Sequence, residues 1–394
     1  MDTKQVNYKK IADKIINELI SSKVKHWHTD DRKEMDRFRY ISLADFSKKY
    51  KDEWFAFNNQ TTELQFEAAM RRTFALLKDA HTYFGRASIG EEILDCKFVA
   101  FDNEIYVFSN NDRKDYVKVE KINGFPINKI TDELEKLISY EVEPWRIAST
   151  NLILGRAKTY KLINMANETG DSIIVEGLNK ANETTKIQVG IRNSNAKAQA
   201  NNNYKPYEFH FSEGGKLYVG YHKCQSYEDY PFEEFVENIK AAVGNQVLKG
   251  VILDVRQNGG GNSEVIKPLI TYLKSYKLNS ENTVVLGGNN TYSAGIWAVA
   301  SFKDSFGATL IGESLGQPAE KYGDTSMTHE TEGFTYKMSE KFFDLSKSFG
   351  TGGIINPDIV VKRTLEDYVN FHDKQLQTAH DYIGGKKQMA PRGE

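Results

Sequence analysis

The sequence predicts an α/β protein, with a buried sheet carrying helices, preceded by a helical segment and a β-rich one. Three observations lead there. Residues 250–255 (GVILDV) are apolar with little alternation, as in a strand covered on both faces, and end in Asn258-Gly259-Gly260-Gly261. Residues 283–286 (TVVL) repeat the pattern and end in Gly287-Gly288-Asn289-Asn290, after which Ile296, Val299, Ala300 and Phe302 follow a roughly helical period. Around both, strands and helices alternate from Tyr204: strands at 216–221 and 308–312, helices at 230–243, 264–274 and 364–383.

Taken in order, residues 1–90 read as mostly helical. Ile11, Ile15, Ile16, Leu19 and Ile20 line one side of a first, charged helix. Residues 61–79 form another, with Thr61 or Thr62 as cap and Leu64, Phe66, Ala69, Phe74, Leu76 and Leu77 on its core face. This helix runs directly into Ala80-His81-Thr82. Residues 91–200 change to short strand-like runs at 98–101, 105–108 and 117–122, with Asn123-Gly124 as a turn signal and further strands at 170–189. The polar run 193–203 (NSNAKAQANNN) reads as a linker and the charged stretch 384–394 as a disordered tail.

Composition bounds the function. At 394 residues the chain suggests two or three domains, and 40% hydrophobic content suffices for real cores. Lys+Arg 52 against Asp+Glu 54 gives no sign of a nucleic-acid partner. Two distant cysteines, Cys96 and Cys224, exclude a disulfide framework and read as buried thiols. No Cys/His cluster has metal spacing, His26 and His28 flank Trp27 on a polar segment, and no metal or cofactor is expected. No window is long and apolar enough for a membrane span, and the charged N-terminus is no signal peptide. The expected placement is cytoplasmic, or exported where a leader has been removed.

The chemistry centres on Ser293, at the turn from a buried strand into a helix. Its hydroxyl would lie near the positive helix end, with Ala294 and Gly295 leaving room for a substrate. An isolated serine of this kind is usually a helix cap. The triple glycine offers backbone N–H groups suited to an oxyanion, and no Lys-Ser/Thr pair follows to make it a phosphate loop.

LDVRQNGGGNSE, NNTYSAGIWAVASFKD, LIGESLGQPAEKYGD and INPDIVVKRTLEDYVNFHDKQL, in this order over roughly residues 205–380, resemble successive signatures of the C-terminal-processing (tail-specific) serine peptidases. That superfamily includes the tricorn core protease and the interphotoreceptor retinoid-binding proteins. LLKDAHTYFG around His81 resembles its N-terminal histidine motif. The resemblance implies a crotonase-like (ClpP/crotonase) spiral core at 204–383, a helical domain at 1–90, and, at 91–200, either a PDZ-like docking module or a small β-rich insert. It implies hydrolysis of peptide bonds in unfolded or C-terminal polypeptide segments through an acyl-enzyme at Ser293. His81 would be the general base, reaching across a cleft, with Gly259, Gly260 and Ala294 as the oxyanion hole.

Two departures accompany it. Where lysine-type members carry Gly-Lys-Gly, this chain has Gly316-Gln317-Pro318, and glutamine cannot take a proton; Lys321 is the one nearby alternative base. Before the Pro-Asp motif no carboxylate stands ready to orient the imidazole, leaving Glu313, Glu330, Glu332, Glu340, Ser348 or Thr351 as substitutes. The second functional reading is a non-catalytic binding module for a peptide or apolar ligand on the same fold.

Overall fold

A computed structural model describes residues 6–22, 24–27, 34–35, 37–54, 57–58, 60–86, 91–109, 112–166, 171–194, 205–212, 214–324 and 328–385. Contacts divide the chain into two units. The first comprises Met1–Glu141, Ser149–Ala200 and Lys321–Asp344; the second comprises Val142–Ala148, Asn201–Glu320 and Leu345–Glu394.

The second unit is built on a six-stranded sheet whose strands follow chain order: Tyr207–Phe211, Lys216–Tyr221, Gly250–Asp254, Thr283–Gly287, Thr309–Gly312 and Ile359–Val360. The first strand is antiparallel to the second, and the remaining pairs are parallel. Every residue of Gly250–Asp254 and Thr283–Gly287 is buried, which explains why these runs lack alternation. Val251, Leu253, Val285 and Leu310 pack with the helices Phe232–Val243, Lys267–Leu273 and Ala294–Phe306. The alternate positions Ile252, Val284, Leu286 and Ile311 face Leu376, Ala379 and Ile383 on the other side.

The closing helix expected at 364–383 is two helices, Leu365–Val369 and Lys374–Ile383. Local capping makes the break. Thr364 accepts from the Asp367 N–H at 3.1 Å, Asp373 accepts from the Leu376 N–H at 3.0 Å, and Phe371 between them sits at φ 57°. Arg256 holds the break in place, because its guanidinium grips Asp373 at 2.7 Å and buried Asp254 at 2.6 Å.

Among the described residues, the first unit contains three sheets. The seven-stranded antiparallel sheet takes Glu91–Leu94, Thr184–Ser194, Ser172–Asn179, Tyr116–Ile122, Glu104–Ser109 and Cys96–Phe101 in that spatial order, with Phe125–Pro126 beside Tyr116–Ile122. Asn123 and Gly124, at φ 53° and 80°, make the expected turn before the helix Ile127–Glu135. The helix Ala157–Leu162 has no counterpart in the sequence reading of this segment. Thr62 caps the helix Glu63–Ala75 in a reciprocal box with Gln65.

Lys321–Asp344 lies inside the 204–383 part by sequence order, yet by contacts it folds with the first unit. Lys341–Asp344 runs parallel to Val24–Trp27, and Phe334–Lys337 pairs antiparallel with Tyr83–Arg86. The driving burial is aromatic: Phe334 and Tyr336 join Phe66, Phe74 and Phe84 in one core. Most of the expected linker and tail, residues 195–203 and 386–394, lies outside the described residues, as do His28 and Tyr204; Asn193 and Ser194 end a strand.

Arg256→Ala is expected to cost about 3 kcal/mol of stability, because it strips the partner from buried Asp254 and loosens the Asp373 cap. Urea unfolding of the two proteins measures it.

Candidate active site

Ser293 immediately precedes the helix Ala294–Phe306 and has φ 52° and ψ −121°, a conformation L-residues seldom adopt. Its own side chain makes no cap hydrogen bond, so the plain N-cap role is not what keeps a serine here. Gly260, at φ 101°, lies against it. A Cβ added to Gly260 would fall 2.6 Å from Ser293 Cβ, 3.0 Å from Ala294 N and 3.1 Å from Ser293 Oγ. The structure therefore brings Ser293, Ala294 and Gly260 together. Gly259 beside them is exposed, with nothing within 4 Å of where its Cβ would be.

Asn258 is the organising residue that the sequence reading passed over. It is fully buried; its Nδ2 donates to the Tyr221 carbonyl at 2.7 Å, and its Oδ1 accepts from the Gly260 N–H at 2.9 Å and from Cys224 Sγ at 3.3 Å. Its main-chain oxygen accepts from the Tyr292 N–H at 2.9 Å. This oxygen would be 2.5 Å from a Cβ at Gly295, so the small residue two past the serine is a packing requirement. The Gly260 N–H is thus already engaged, whereas the open backbone face belongs to Gly259. Burial pushes the Cys224 thiol up to about 11 and the Cys96 thiol up to about 12, which leaves both protonated and unreactive.

Gln317 is fully buried, and its Oε1 accepts from the Ser293 N–H at 2.9 Å. The glutamine of Gly316-Gln317-Pro318 is thus a hydrogen-bond acceptor for the serine's own backbone.

His81 belongs to the first unit, at the end of a loop fixed by Asp79. The Asp79 carboxylate is completely buried. Its Oδ1 accepts from the His81 N–H and Ser339 Oγ, both at 3.0 Å, and its Oδ2 accepts from Thr82 Oγ1 at 2.5 Å. Arg37 donates to Thr82 Oγ1 at 3.1 Å and to the Ser339 carbonyl at 2.7 Å, so the Asp-x-His-Thr motif is locked from several sides. Burial lowers the His81 pKa to about 4, against the raising effect of Asp79; Lys321 lowers it further, and Asp324 and a hydrogen bond to the Tyr322 backbone raise it. A backbone bond that favours the protonated ring is one in which the carbonyl accepts, so the Tyr322 carbonyl holds one imidazole nitrogen.

The substitutes considered for an orienting acid are placed as follows. Glu313 accepts from Arg363 at 3.3 Å, Ser348 donates to Asp304 at 3.0 Å, Glu330 lies in the strand His329–Thr331 and Glu332 at the following turn at φ 47°. Thr351 is exposed, and Glu340 acts on Arg37.

Lys321 is buried at 2% exposure, and burial lowers its pKa to about 7 against the opposing effect of Glu141. Ligand atoms of Asp79, His81 and Glu141 lie within 4.8 Å of one another. As a metal centre the set fits poorly, because both Asp79 oxygens already accept hydrogen bonds and a lysine side chain acts on the same imidazole.

No protein-family model and no curated protein matches the chain. Among solved structures, the fold is similar to that of mature CPAF complexed with lactacystin, with a TM-score of 0.66 and 11% identity over 96% of this chain and 99% of that one. Mature CPAF gives 0.65 and 12% identity over 97% and 98% of the two chains. The photosystem II D1 C-terminal processing protease gives 0.41 and 14% over 98% and 99%. At these identities the likeness is one of fold, a mixed α/β arrangement of several sheets and helices. Among the described residues, no helix is long and apolar enough to cross a membrane.

Gly260→Ala is expected to destabilise the protein by about 1–3 kcal/mol, since the methyl meets the Ser293 side chain and the Ala294 amide nitrogen and the φ is unfavourable. A thermal melt would check it, and a melt unchanged from wild type would show that the Gly260–Ser293 approach is looser than described.

Proposed function

We propose that the chain is a serine-type peptidase, a hydrolase that cleaves unfolded or C-terminal polypeptide segments through an acyl-enzyme at Ser293. The observation carrying this reading is the strained Ser293 backbone, held against Gly260 with its hydroxyl uncommitted to capping. Strain of about 1–3 kcal/mol is retained where the surroundings over-determine it, and that is common at catalytic residues. In this reading Gly259 and Ala294 supply the oxyanion donors, with Gly260 shaping the pocket. His81 is the general base; its neutral ring near pH 7 and its Tyr322 hydrogen bond suit it to accept a proton at the other nitrogen. The main-chain carbonyl then does the orienting work for which the sequence offered no carboxylate. The crotonase-like core and the PDZ-like character of residues 91–200 belong to the same proposal, supported respectively by the chain-ordered parallel sheet and by the Tyr116–Ile122 strand, turn and Ile127–Glu135 helix.

A second assignment of the base has its own support, because Lys321 is buried and its pKa falls to about 7. A base works deprotonated, so activity rises with pH through its pKa. With His81 as base, kcat/KM stays level down to about pH 5 and halves near 4; with Lys321 it halves near 7.

The test is labelling with a fluorophosphonate probe and cleavage of an unfolded polypeptide. Ser293→Ala is expected to abolish both. His81→Ala is expected to reduce labelling at least about 100-fold while Lys321→Ala leaves most of it. The reverse pattern would transfer the base to Lys321. An unlabelled wild type would leave a non-catalytic binding module as the reading.

A further inference from the structure

The loop carrying Gln317 is seated with more care than a connection between strands requires. The Gly316 N–H donates to the Thr291 carbonyl at 3.0 Å, and the Leu315 N–H to the Ile355 carbonyl at 3.0 Å. Past the loop, Ala319 O accepts from the Leu345 N–H at 3.0 Å. Gly316 itself lies so close to the loop before the serine that an added Cβ would be 2.5 Å from the Asn289 oxygen and 3.2 Å from Trp145 Cε3. Trp145 in turn stacks on Tyr292, the serine's neighbour, with centroids 4.1 Å apart. The outcome of this packing is one fully buried side-chain carbonyl delivered 2.9 Å from the Ser293 N–H.

That N–H has particular need of a partner. A first-turn amide has no intrahelical acceptor, and at φ 52° and ψ −121° the Ser293 amide is turned away from ordinary capping geometry. Because amide and Cβ share one Cα, whatever pins the N–H also fixes the Cα–Cβ direction from which the hydroxyl is presented, leaving only its χ1 rotamer to be chosen. The bond keeps the serine's own amide on Gln317, leaving the oxyanion to other donors. Glutamine can do this and a protonated lysine cannot, since an ammonium offers no acceptor.

From this geometry, and resting on Ser293 being the nucleophile, we infer that Gln317 is a positioning residue for the reaction, which holds the strained Ser293 backbone and so aims its hydroxyl. Its effect falls on the acylation rate and not on substrate binding.

The experiment compares wild type with Gln317→Met, which keeps length and loses the acceptor, and Gln317→Glu, which keeps an acceptor oxygen. The readouts are the rate of fluorophosphonate acylation, the split of peptide cleavage into kcat and KM, and hydrogen exchange of the Ser293 amide. Gln317→Met is expected to slow acylation and kcat at least about tenfold, leave KM within about twofold and speed the amide exchange; Gln317→Glu is expected to recover most of the rate. Gln317→Asn, one methylene too short, serves where the methionine variant does not fold and is expected to be slowed alike. Wild-type acylation in a folded Gln317→Met or Gln317→Asn overturns the inference, as does a change confined to KM. A wild type that is never acylated, like Ser293→Ala, sinks the nucleophile reading itself and the positioning role with it, a pattern distinct from an active wild type with indifferent Gln317 variants.

Discussion

A serine with positive φ at the first turn of a helix is the constraint on which the second unit turns. Such a conformation costs about 1–3 kcal/mol and persists only if its surroundings leave no alternative. Those surroundings are identifiable: the missing side chain at Gly260, the missing side chain at Gly295 that admits the Asn258 oxygen, and the Gln317 acceptor on the serine's amide. Asn258 ties them together, since one buried side chain fixes the glycine loop to the neighbouring strand through Tyr221 while its main chain fixes Tyr292. Each net hydrogen bond contributes about 1 kcal/mol, so the small set is of the size needed to offset the strain.

In the first unit a different principle operates. Asp79, Arg37, Thr82 and Ser339 form a polar network whose donors meet acceptors within it, and its product is a fixed backbone for His81. Beside that rigid loop, Lys321 acts on His81 as a like charge, and both groups are desolvated. For His81, burial and the Lys321 charge push in the same direction, toward the neutral form; for Lys321, burial does so against Glu141. Near pH 7 the imidazole is thereby neutral and the amine is about half neutral.

Local pattern carried much of this. The buried strands, the Asn123-Gly124 turn and the Thr62 cap follow from short stretches whose periodicity and turn chemistry act within a few residues, and the strand ends placed Ser293 beside Gly260. What escaped was long-range or polar. The pairing of Lys341–Asp344 with Val24–Trp27 joins segments more than 300 residues apart, and neither run is distinctive by itself. The helix break at Phe371 is set by two capping side chains and by Arg256 from another element, whereas the apolar period runs on as if unbroken. The Tyr322 carbonyl has no signature, because any residue supplies one.

Gln317 shows how a motif can be read correctly and still mislead. The loss of lysine at Gly316-Gln317-Pro318 means that no base stands there, because an amide side chain has no nitrogen lone pair free to take a proton. It does not follow that the position is vacant of function. An acceptor beside the Ser293 N–H and a proton acceptor for its hydroxyl are exclusive uses of one place, since the single lone pair of a neutral lysine amine cannot serve both and a glutamine cannot take the hydroxyl proton. Under the proposed serine mechanism, a chain that commits this place to holding its serine takes its base from elsewhere, and the two groups proposed for that part, His81 and Lys321, are both desolvated.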